Sequence, residues 1–206
     1  MEVAVISDSH IPDRERAIPD PFRERIAAAD HTVHAGDFET AAVLGDLREL
    51  ATELTAVHGN VDPADIGLPA VASVTLGGVA FVVTHGTINP VEAAADATSV
   101  DTEMEVGADN EITGFDATIE SESGLVLYGD EWADAVADTA RVRTRRWDGE
   151  GVVGIGGHSH EVEDRVHDGV RVLNPGSVTG ADPADRATML TVEADNGEVD
   201  VTLHEY

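Results

Sequence analysis

The chain of 206 residues carries 41 acidic and 12 basic residues, for a formal net charge of −29, and contains neither cysteine nor lysine. Without cysteine, disulfides, a thiolate nucleophile and a zinc-thiolate site are excluded, and without a basic stripe nonspecific binding to nucleic acid is disfavoured. No apolar stretch approaches the roughly 20 residues of a membrane-spanning helix and no secretion signal begins the chain, so we expect a soluble, cytoplasmic protein without a membrane partner.

The first sixty residues alternate short apolar runs with amphipathic segments. Residues 2–7 predict a buried strand, residues 22–29 a helix, and residues 31–35 a second strand. An apolar stripe at helical spacing predicts a helix over residues 39–54, which leads to a third strand over residues 55–58. This order is typical of βαβ units, in which crossover helices join parallel strands.

The remaining chain predicts mostly strands around one helix. That helix covers residues 131–146, with acids in its first turn and arginines in its last, as the helix dipole favours. Residues 92–129 are rich in acids, and we expect an insertion packed on the body or a mobile flap there, within a single domain of residues 1–206. The predicted strands fall at residues 71–76, 79–84, 152–155, 161–167 and 170–173 and in a final hairpin over 187–204.

Five polar groups each follow a predicted apolar strand, where enzymes with α/β folds usually place their chemistry. A single histidine at a strand end is more often an ordinary hydrogen-bonded residue than a ligand. Together, however, the groups supply two carboxylates, one amide and four imidazoles, which packing alone does not explain. They predict a metal site formed by Asp8, His10, Asp37, Asn60, His85, His158 and His160.

These residues stand in the order D-x-H, GD, GN, H and GHxH, which resembles the signature of the calcineurin-like metallophosphoesterase superfamily over nearly the whole chain. Gly59-Asn60-Val61-Asp62 and Asn174-Pro175-Gly176-Ser177 resemble blocks of the small YfcE-type phosphodiesterases. The resemblance implies an α/β fold, a four-layer α/β/β/α sandwich with two metals at the C-terminal edge of its sheets. It also implies a division of ligands, with Asp8, His10 and His160 on the first metal, Asn60, His85 and His158 on the second, and Asp37 bridging both.

Two divalent ions explain why such side chains are needed. By sharing a carboxylate and a water, the ions lower the pKa of that water and clamp the phosphate oxygens, so that a metal-bridging hydroxide attacks phosphorus. Oxygen and imidazole ligands suit manganese, which we favour, and also nickel, iron, cobalt and zinc. We expect catalytic roles for Asp37 and Asn60. His34 and His58 are expected to contact the ligands or the phosphate, and the alternative for both is an ordinary position at a strand end.

Two positions depart from the pattern of the relatives. Val61 stands where many relatives have a histidine that can protonate the leaving group. We therefore expect the rate to depend steeply on the acidity of the leaving group. Thr87 stands where several YfcE-type relatives have histidine after His85-Gly86, and this change alters the pocket wall without removing a ligand.

The expected function is two-metal hydrolysis of phosphodiester bonds in small substrates. The motifs also fit a phosphomonoesterase or a dinucleotide polyphosphate hydrolase, because the pocket rather than the metals sets specificity. A Vps29-like protein-binding scaffold is the alternative outside enzymes, although such scaffolds have lost some ligands and all seven positions are filled here. A homo-oligomer is compatible with the sequence.

The excess of acidic residues predicts an unusual solvent. In dilute buffer a surface of this charge repels itself, whereas at 1 M salt the Debye length falls to about 3 Å. We therefore expect the protein to work in the cytoplasm of a halophilic archaeon. A disordered acidic chain is the alternative, but regular Val/Ile/Leu runs and turn signals argue against it.

Overall fold

The computed structural model describes residues 1–87, 129–149 and 151–206. The expected insertion or flap at residues 92–129 lies outside these ranges apart from Gly129, which begins a helix. The described residues form, in chain order, β1 (Glu2–Ile6), α1 (Asp20–Ala28), β2 (His31–His34), α2 (Ala41–Leu50), β3 (Leu54–Ala56), β4 (Val71–Leu76), β5 (Val79–Thr84), α3 (Gly129–Arg143), β6 (Gly151–Ile155), β7 (Val162–His167), β8 (Val170–Pro175), β9 (Thr188–Asp195) and β10 (Glu198–Glu205).

The strands form two mixed sheets of five strands each. The first has the order β10-β9-β1-β2-β3 and the second the order β4-β5-β6-β8-β7. Strands β1, β2 and β3 run parallel to one another, as do β5, β6 and β8. Because the carboxyl ends of parallel strands meet at one edge of a sheet, the loops after these strands are brought together.

The two sheets stack face to face, and helices cover both outer faces. In β1, Val3 and Val5 belong to the core between the sheets, whereas Ala4 and Ile6 pack with residues of α1 and α2. Trp132 of α3 packs against the outer face of the second sheet. This alternation buries both faces of the central strands and makes four layers. The predicted α/β/β/α sandwich is confirmed.

Helix α2 is shorter than the sequence predicts, spanning Ala41–Leu50 rather than residues 39–54. Thr40 caps it, because its hydroxyl accepts the N–H of Val43. Glu39 has a left-handed backbone with φ of 74°, which a helix does not admit. Leu54 belongs to β3, which ends at Ala56 instead of continuing to residue 58.

Helix α3 spans Gly129–Arg143, so it begins two residues and ends three residues before the predicted positions.

In the part of the chain that the structure describes, no helix is both long and apolar enough to cross a membrane.

Candidate metal centre

The polar groups predicted to meet do lie together, in two clusters at the carboxyl ends of the parallel strands. The first cluster is Asp8, His10 and His160, and the second is Asp37, His85 and His158. Within each cluster, one side-chain oxygen or nitrogen of every residue lies within 4.8 Å of the others. The residues follow β1, β2, β5 and β6, so both sheets contribute to the site.

Asp37 joins the two clusters. Its Oδ2 atom lies 3.5 Å from Nε2 of His10 and 3.3 Å from Nε2 of His85. Its other oxygen, Oδ1, accepts the backbone N–H of Val61 (3.1 Å). One carboxylate oxygen is thereby fixed to the protein, and the other is left facing both clusters.

Asn60 completes the predicted set of seven residues. Its Oδ1 atom lies 3.0 Å from Nε2 of His85, beside the second cluster. An amide oxygen in this position can serve as a further ligand for a hard or borderline divalent ion.

In their neutral form, the histidine rings present unprotonated nitrogens to the site. The Nδ1 atoms donate outward, from His10 to Glu39 Oε1 (3.0 Å), from His85 to the Ala35 carbonyl (2.7 Å) and from His160 to the Ala181 carbonyl (2.9 Å). With Nδ1 protonated, Nε2 of a neutral imidazole is a lone pair directed inward.

These inward nitrogens face other acceptors, which favours a cation between them. Nε2 of His10 lies 3.1 Å from Nε2 of His160. Nε2 of His158 is buried and has no hydrogen-bond partner among the described residues. A buried acceptor without a donor is costly, and a divalent ion would satisfy several of these atoms at once. The residues therefore fit two divalent cations.

The charges in the protein alone lead to the same conclusion. Burial by itself would lower the pKa of His85, but the charge and hydrogen bond of Asp37 raise it to about 9. Burial would likewise raise the pKa of Asp8, but the hydrogen bond with His160 and the charges of His85 and His160 together outweigh burial and lower that pKa. The pKa of His158 falls to about 4 because of burial and the neighbouring His85 charge. Positive charge between these carboxylates is thus strongly favoured.

The backbone at the site is strained. Five of the predicted ligands have left-handed backbones, with φ of 53° at Asp8, 45° at His10, 64° at Asp37, 73° at His158 and 57° at His160. Such conformations cost roughly 1–3 kcal/mol each for residues other than glycine, and they persist only where the surroundings enforce them.

Two motif glycines allow the loops to approach closely. A Cβ atom at Gly59 would overlap Oδ1 of Asp37, and one at Gly157 would lie 2.7 Å from Oδ2 of Asp8. Any side chain at either position would therefore push a carboxylate away from the site.

His34 lies beneath the site, fully buried and stacked on Phe38. Its Nδ1 accepts the backbone N–H of Gly36 (3.1 Å), so its Nε2 donates to the Ser9 hydroxyl (3.3 Å), which donates to the Asp37 carbonyl. Burial lowers the pKa of His34 to about 3, which keeps the ring neutral. The structure thus places His34 against the loop that carries Asp37.

His58, two residues after β3, is partly buried, and its Nδ1 lies 3.3 Å from the carbonyl of Gly59. It therefore lies beside the Gly59-Asn60 motif, as its sequence position suggests.

Asp62 is a residue that the sequence analysis did not assign to the site. Its two carboxylate oxygens accept the backbone N–H groups of Asp37 (3.0 Å), Phe38 (2.7 Å), Glu39 (2.9 Å) and Gly59 (2.7 Å). One side chain thus binds the loop that carries Asp37 to the loop that carries Asn60.

Glu39 was also not assigned to the site. One of its oxygens accepts from Nδ1 of His10 and the other accepts the backbone N–H of Asp13 (2.9 Å). The sequence places both acids close to predicted ligands, since Glu39 stands two residues after Asp37 and Asp62 two residues after Asn60, but it does not show which groups they bond.

The Asn174-Pro175-Gly176-Ser177 segment supports the loops of the site through side-chain hydrogen bonds. Asn174 Nδ2 donates to the Gly157 carbonyl (3.1 Å) and the Ser159 hydroxyl (3.0 Å), and Ser177 donates to the Asp8 carbonyl (2.8 Å). Both side chains are fully buried.

This arrangement matches a known family. Residues 1–197 match the family model of the calcineurin-like phosphoesterase superfamily domain. The chain belongs to this superfamily. A curated relative, a probable metallophosphoesterase of Methanothermobacter thermautotrophicus, is 39% identical over 62 residues, which are 30% of this chain. The match spans 36% of that relative's length.

Solved structures share the superfamily's fold. Vps29 from Entamoeba histolytica, crystallised as a zinc complex, superposes with a TM-score of 0.62 at 22% identity and covers 100% of this chain and 98% of its own. A predicted phosphoesterase from Streptococcus pneumoniae superposes with a TM-score of 0.59 at 18% identity, covering 99% and 88%. The fold is therefore common to a predicted phosphoesterase and to Vps29, and only the site can separate their functions.

Proposed function

We propose that the protein is a two-metal phosphodiesterase that hydrolyses small phosphate diesters. The observation that carries this proposal is the single oxygen of Asp37, Oδ2, which lies within 3.5 Å of His10 Nε2 and 3.3 Å of His85 Nε2. A carboxylate shared by two ligand clusters is the arrangement that a pair of catalytic cations requires.

The ligand set is assigned as the resemblance implies. Asp8, His10 and His160 hold one cation, Asn60, His85 and His158 hold the other, and Asp37 binds both. When bound, the cations polarise the phosphoryl group and lower the pKa of a water so that it can attack phosphorus. Manganese is the metal that we favour, and nickel, iron, cobalt and zinc suit the same donors.

The protein's own groups orient this chemistry. The Nδ1 bonds of His10, His85 and His160 fix the tautomer in which Nε2 faces the site. Asn60 and His158 are partly exposed, so the second cluster is the side from which substrate enters. We assign phosphate contact to Asn60 and support of the ligand loops to His34 and His58.

Diesters are the preferred substrate class because the site is open on this side. A diester carries a second arm besides its leaving group, and the partly exposed second cluster leaves that arm a route to solvent. Phosphomonoesters and dinucleotide polyphosphates are the competing substrates, because the same cations would activate them.

The test compares bis-nitrophenyl phosphate with nitrophenyl phosphate, using protein loaded with manganese at high salt. We expect turnover of both and a higher kcat/KM for the diester. Asp37→Asn should abolish both activities, while Asp65→Asn, a change to an exposed acid nearby, should leave them intact. A wild-type protein that cleaves neither ester at any metal concentration would instead support a Vps29-like scaffold.

We also propose that the enzyme works in a halophilic cytoplasm. The charge of −29 is carried with no lysine, and salt bridges neutralise few of these acids in the described residues. Salt that screens this repulsion should therefore stabilise the fold. Full folding and activity in dilute buffer would remove this proposal.

A further inference from the structure

Trp132 lies near the beginning of α3, and its side chain is buried. Its indole Nε1 donates to the carbonyl of Gly157 (3.0 Å), the residue directly before His158. A Cβ atom on Gly86, the residue directly after His85, would overlap the same Nε1 atom. One edge of the indole ring therefore lies against both loops that carry histidines of the second cluster.

The same two loops are also bonded to each other. The backbone N–H of Gly157 donates to the carbonyl of His85 (3.0 Å), and the rings of His85 and His158 meet edge to face with their centroids 5.1 Å apart. A shift of the Gly157 peptide would therefore move one imidazole relative to the other. A metal site needs its ligands held to within about 0.5 Å of the productive geometry.

The glycines around the indole show how closely α3 approaches these loops. Gly86 has a left-handed backbone, with φ of 90°, which by itself favours glycine. The backbone of Gly156 is not left-handed, yet a Cβ atom there would lie 2.6 Å from Cζ2 of Trp132 and 2.9 Å from Cγ2 of Val136. Glycine at position 156 therefore allows the indole to pack directly on the backbone at the end of β6.

The Gly157 carbonyl has two further donors, Nδ2 of Asn174 (3.1 Å) and the backbone N–H of Ser159 (2.9 Å). Because these donors remain when the indole N–H is removed, the carbonyl would not become an unpaired buried acceptor. Trp132 differs from both in that it bonds the carbonyl from a helix on the outer face of the sheet. Loss of its bond should therefore change the position of the loop more than the stability of the fold.

We propose that Trp132 is a positioning residue for the second cation, acting through the loops that carry His85 and His158. Changing a group that orients a metal ligand typically costs 10–100-fold in metal affinity. We expect about tenfold here, because the Gly157 carbonyl keeps two donors. This inference rests on the proposed two-metal function, and it identifies a residue that binds neither cation yet sets the affinity for one of them.

The experiment uses Trp132→Phe, which keeps an aromatic ring in the core and removes the N–H donor. Manganese binding to the metal-free chain is measured by competition with a chelator. The weaker of the two binding constants should fall about tenfold, and the tighter should change by less than about twofold. The manganese concentration that gives half-maximal hydrolysis of bis-nitrophenyl phosphate should rise by the same factor as the weaker constant falls.

A double-mutant cycle tests whether the effect passes through the second cluster. In His158→Ala, only the first cluster keeps all its predicted ligands. Adding Trp132→Phe to that variant should leave the affinity for the remaining cation unchanged, because the two changes affect the same cation.

Two controls separate positioning from a general loss of stability. Val172→Ala truncates a buried residue of the same core cluster, on β8 opposite Gly154. It should lower the midpoint of denaturant unfolding without changing either manganese constant. Trp147→Phe, a change to the other tryptophan, should also leave both constants unchanged.

Equal weakening of both constants in Trp132→Phe, an unchanged weaker constant, or the same loss in Val172→Ala would overturn the inference. A wild type that binds only one manganese ion would overturn it as well. If the wild type binds two ions but cleaves neither nitrophenyl ester, the proposed function fails, and the binding constants still decide the role of Trp132.

Discussion

The two clusters of the centre contain similar ligands in different surroundings. In the first cluster, Asp8, His10 and His160 are all buried, and the carboxylate of Glu39 lies behind His10. In the second, His158 and the adjacent Asn60 are partly exposed, and a neutral carbonyl lies behind His85. A carboxylate behind a ligand makes it a better donor, and burial slows exchange. We therefore expect the first cluster to retain a cation and the second to admit a substrate.

The largest effect on activity should come from two single substitutions, each of which removes one histidine from one of the clusters. His160→Ala and His158→Ala should each lower kcat/KM by about 1000-fold or more, since each removes several kcal/mol of transition-state stabilisation. Their metal contents should differ. Elemental analysis after dialysis should find about one ion per chain in the wild type and in His158→Ala, and far less in His160→Ala.

His204→Ala is the control, because this histidine bonds Thr191 on the outer strand pair and lies in neither cluster. It should retain both metal and activity. Equal metal loss from His158→Ala and His160→Ala would show that the two clusters bind alike, and the comparison would then fail.

The next largest effect concerns Asp62, which ties the two loops of the second cluster together. Asp62→Asn keeps the shape but replaces one accepting oxygen with an NH₂ group that faces backbone donors. Because bonds to a charged acceptor are worth about 1.5–3 kcal/mol each, we expect a loss of about 2–4 kcal/mol in the free energy of unfolding. Denaturant unfolding at high salt measures it.

Asp65→Asn provides the matched control, since it removes the same charge from an exposed position three residues away. It should change the free energy of unfolding by less than about 0.5 kcal/mol. If Asp62→Asn is no more destabilising than Asp65→Asn, the four bonds to Asp62 do not hold the loops together.

Asp62 and Glu39, the two acids that the sequence analysis missed, show what the sequence could and could not predict. The strands β1, β4 and β5 follow from local patterns, because apolar runs act over a few positions. The grouping of the seven polar side chains followed from their placement after strands. Glu39, however, was predicted to be helical, since a glutamate beside an apolar stripe favours a helix locally.

The observed backbone conformation of Glu39 depends on residues far along the chain. The backbone N–H of Glu39 donates to Asp62 and its side chain accepts from His10, so tertiary contacts determine its backbone. The bonds of Asp62 to two separate loops likewise exist only once parallel strands have brought those loops together. No local pattern encodes such contacts, which is why both acids were missed.

A smaller effect should come from Glu39, whose carboxylate lies behind His10 of the first cluster. Glu39→Gln removes the negative charge behind His10 while keeping an acceptor for Nδ1. Changing such a partner of a ligand typically costs 10–100-fold in metal affinity, and we expect about tenfold here. Competition with a chelator measures this affinity. Glu49→Gln, at an exposed site on α2, should leave it unchanged. An unchanged affinity in Glu39→Gln would mean that this carboxylate does not strengthen the first cluster.

The smallest expected effect concerns protonation of the leaving group near the second cluster. The backbone of Val61 supports Asp37, but its side chain cannot donate a proton. The wild type should therefore cleave nitrophenyl esters much faster than alkyl esters. Val61→His should raise the rate on alkyl esters by about tenfold, below the 10²–10⁴ of an evolved general acid, and flatten the dependence on leaving-group pKa. Val166→His, on an exposed edge strand, should not. A wild-type rate that is already independent of leaving-group pKa would show that another group donates the proton.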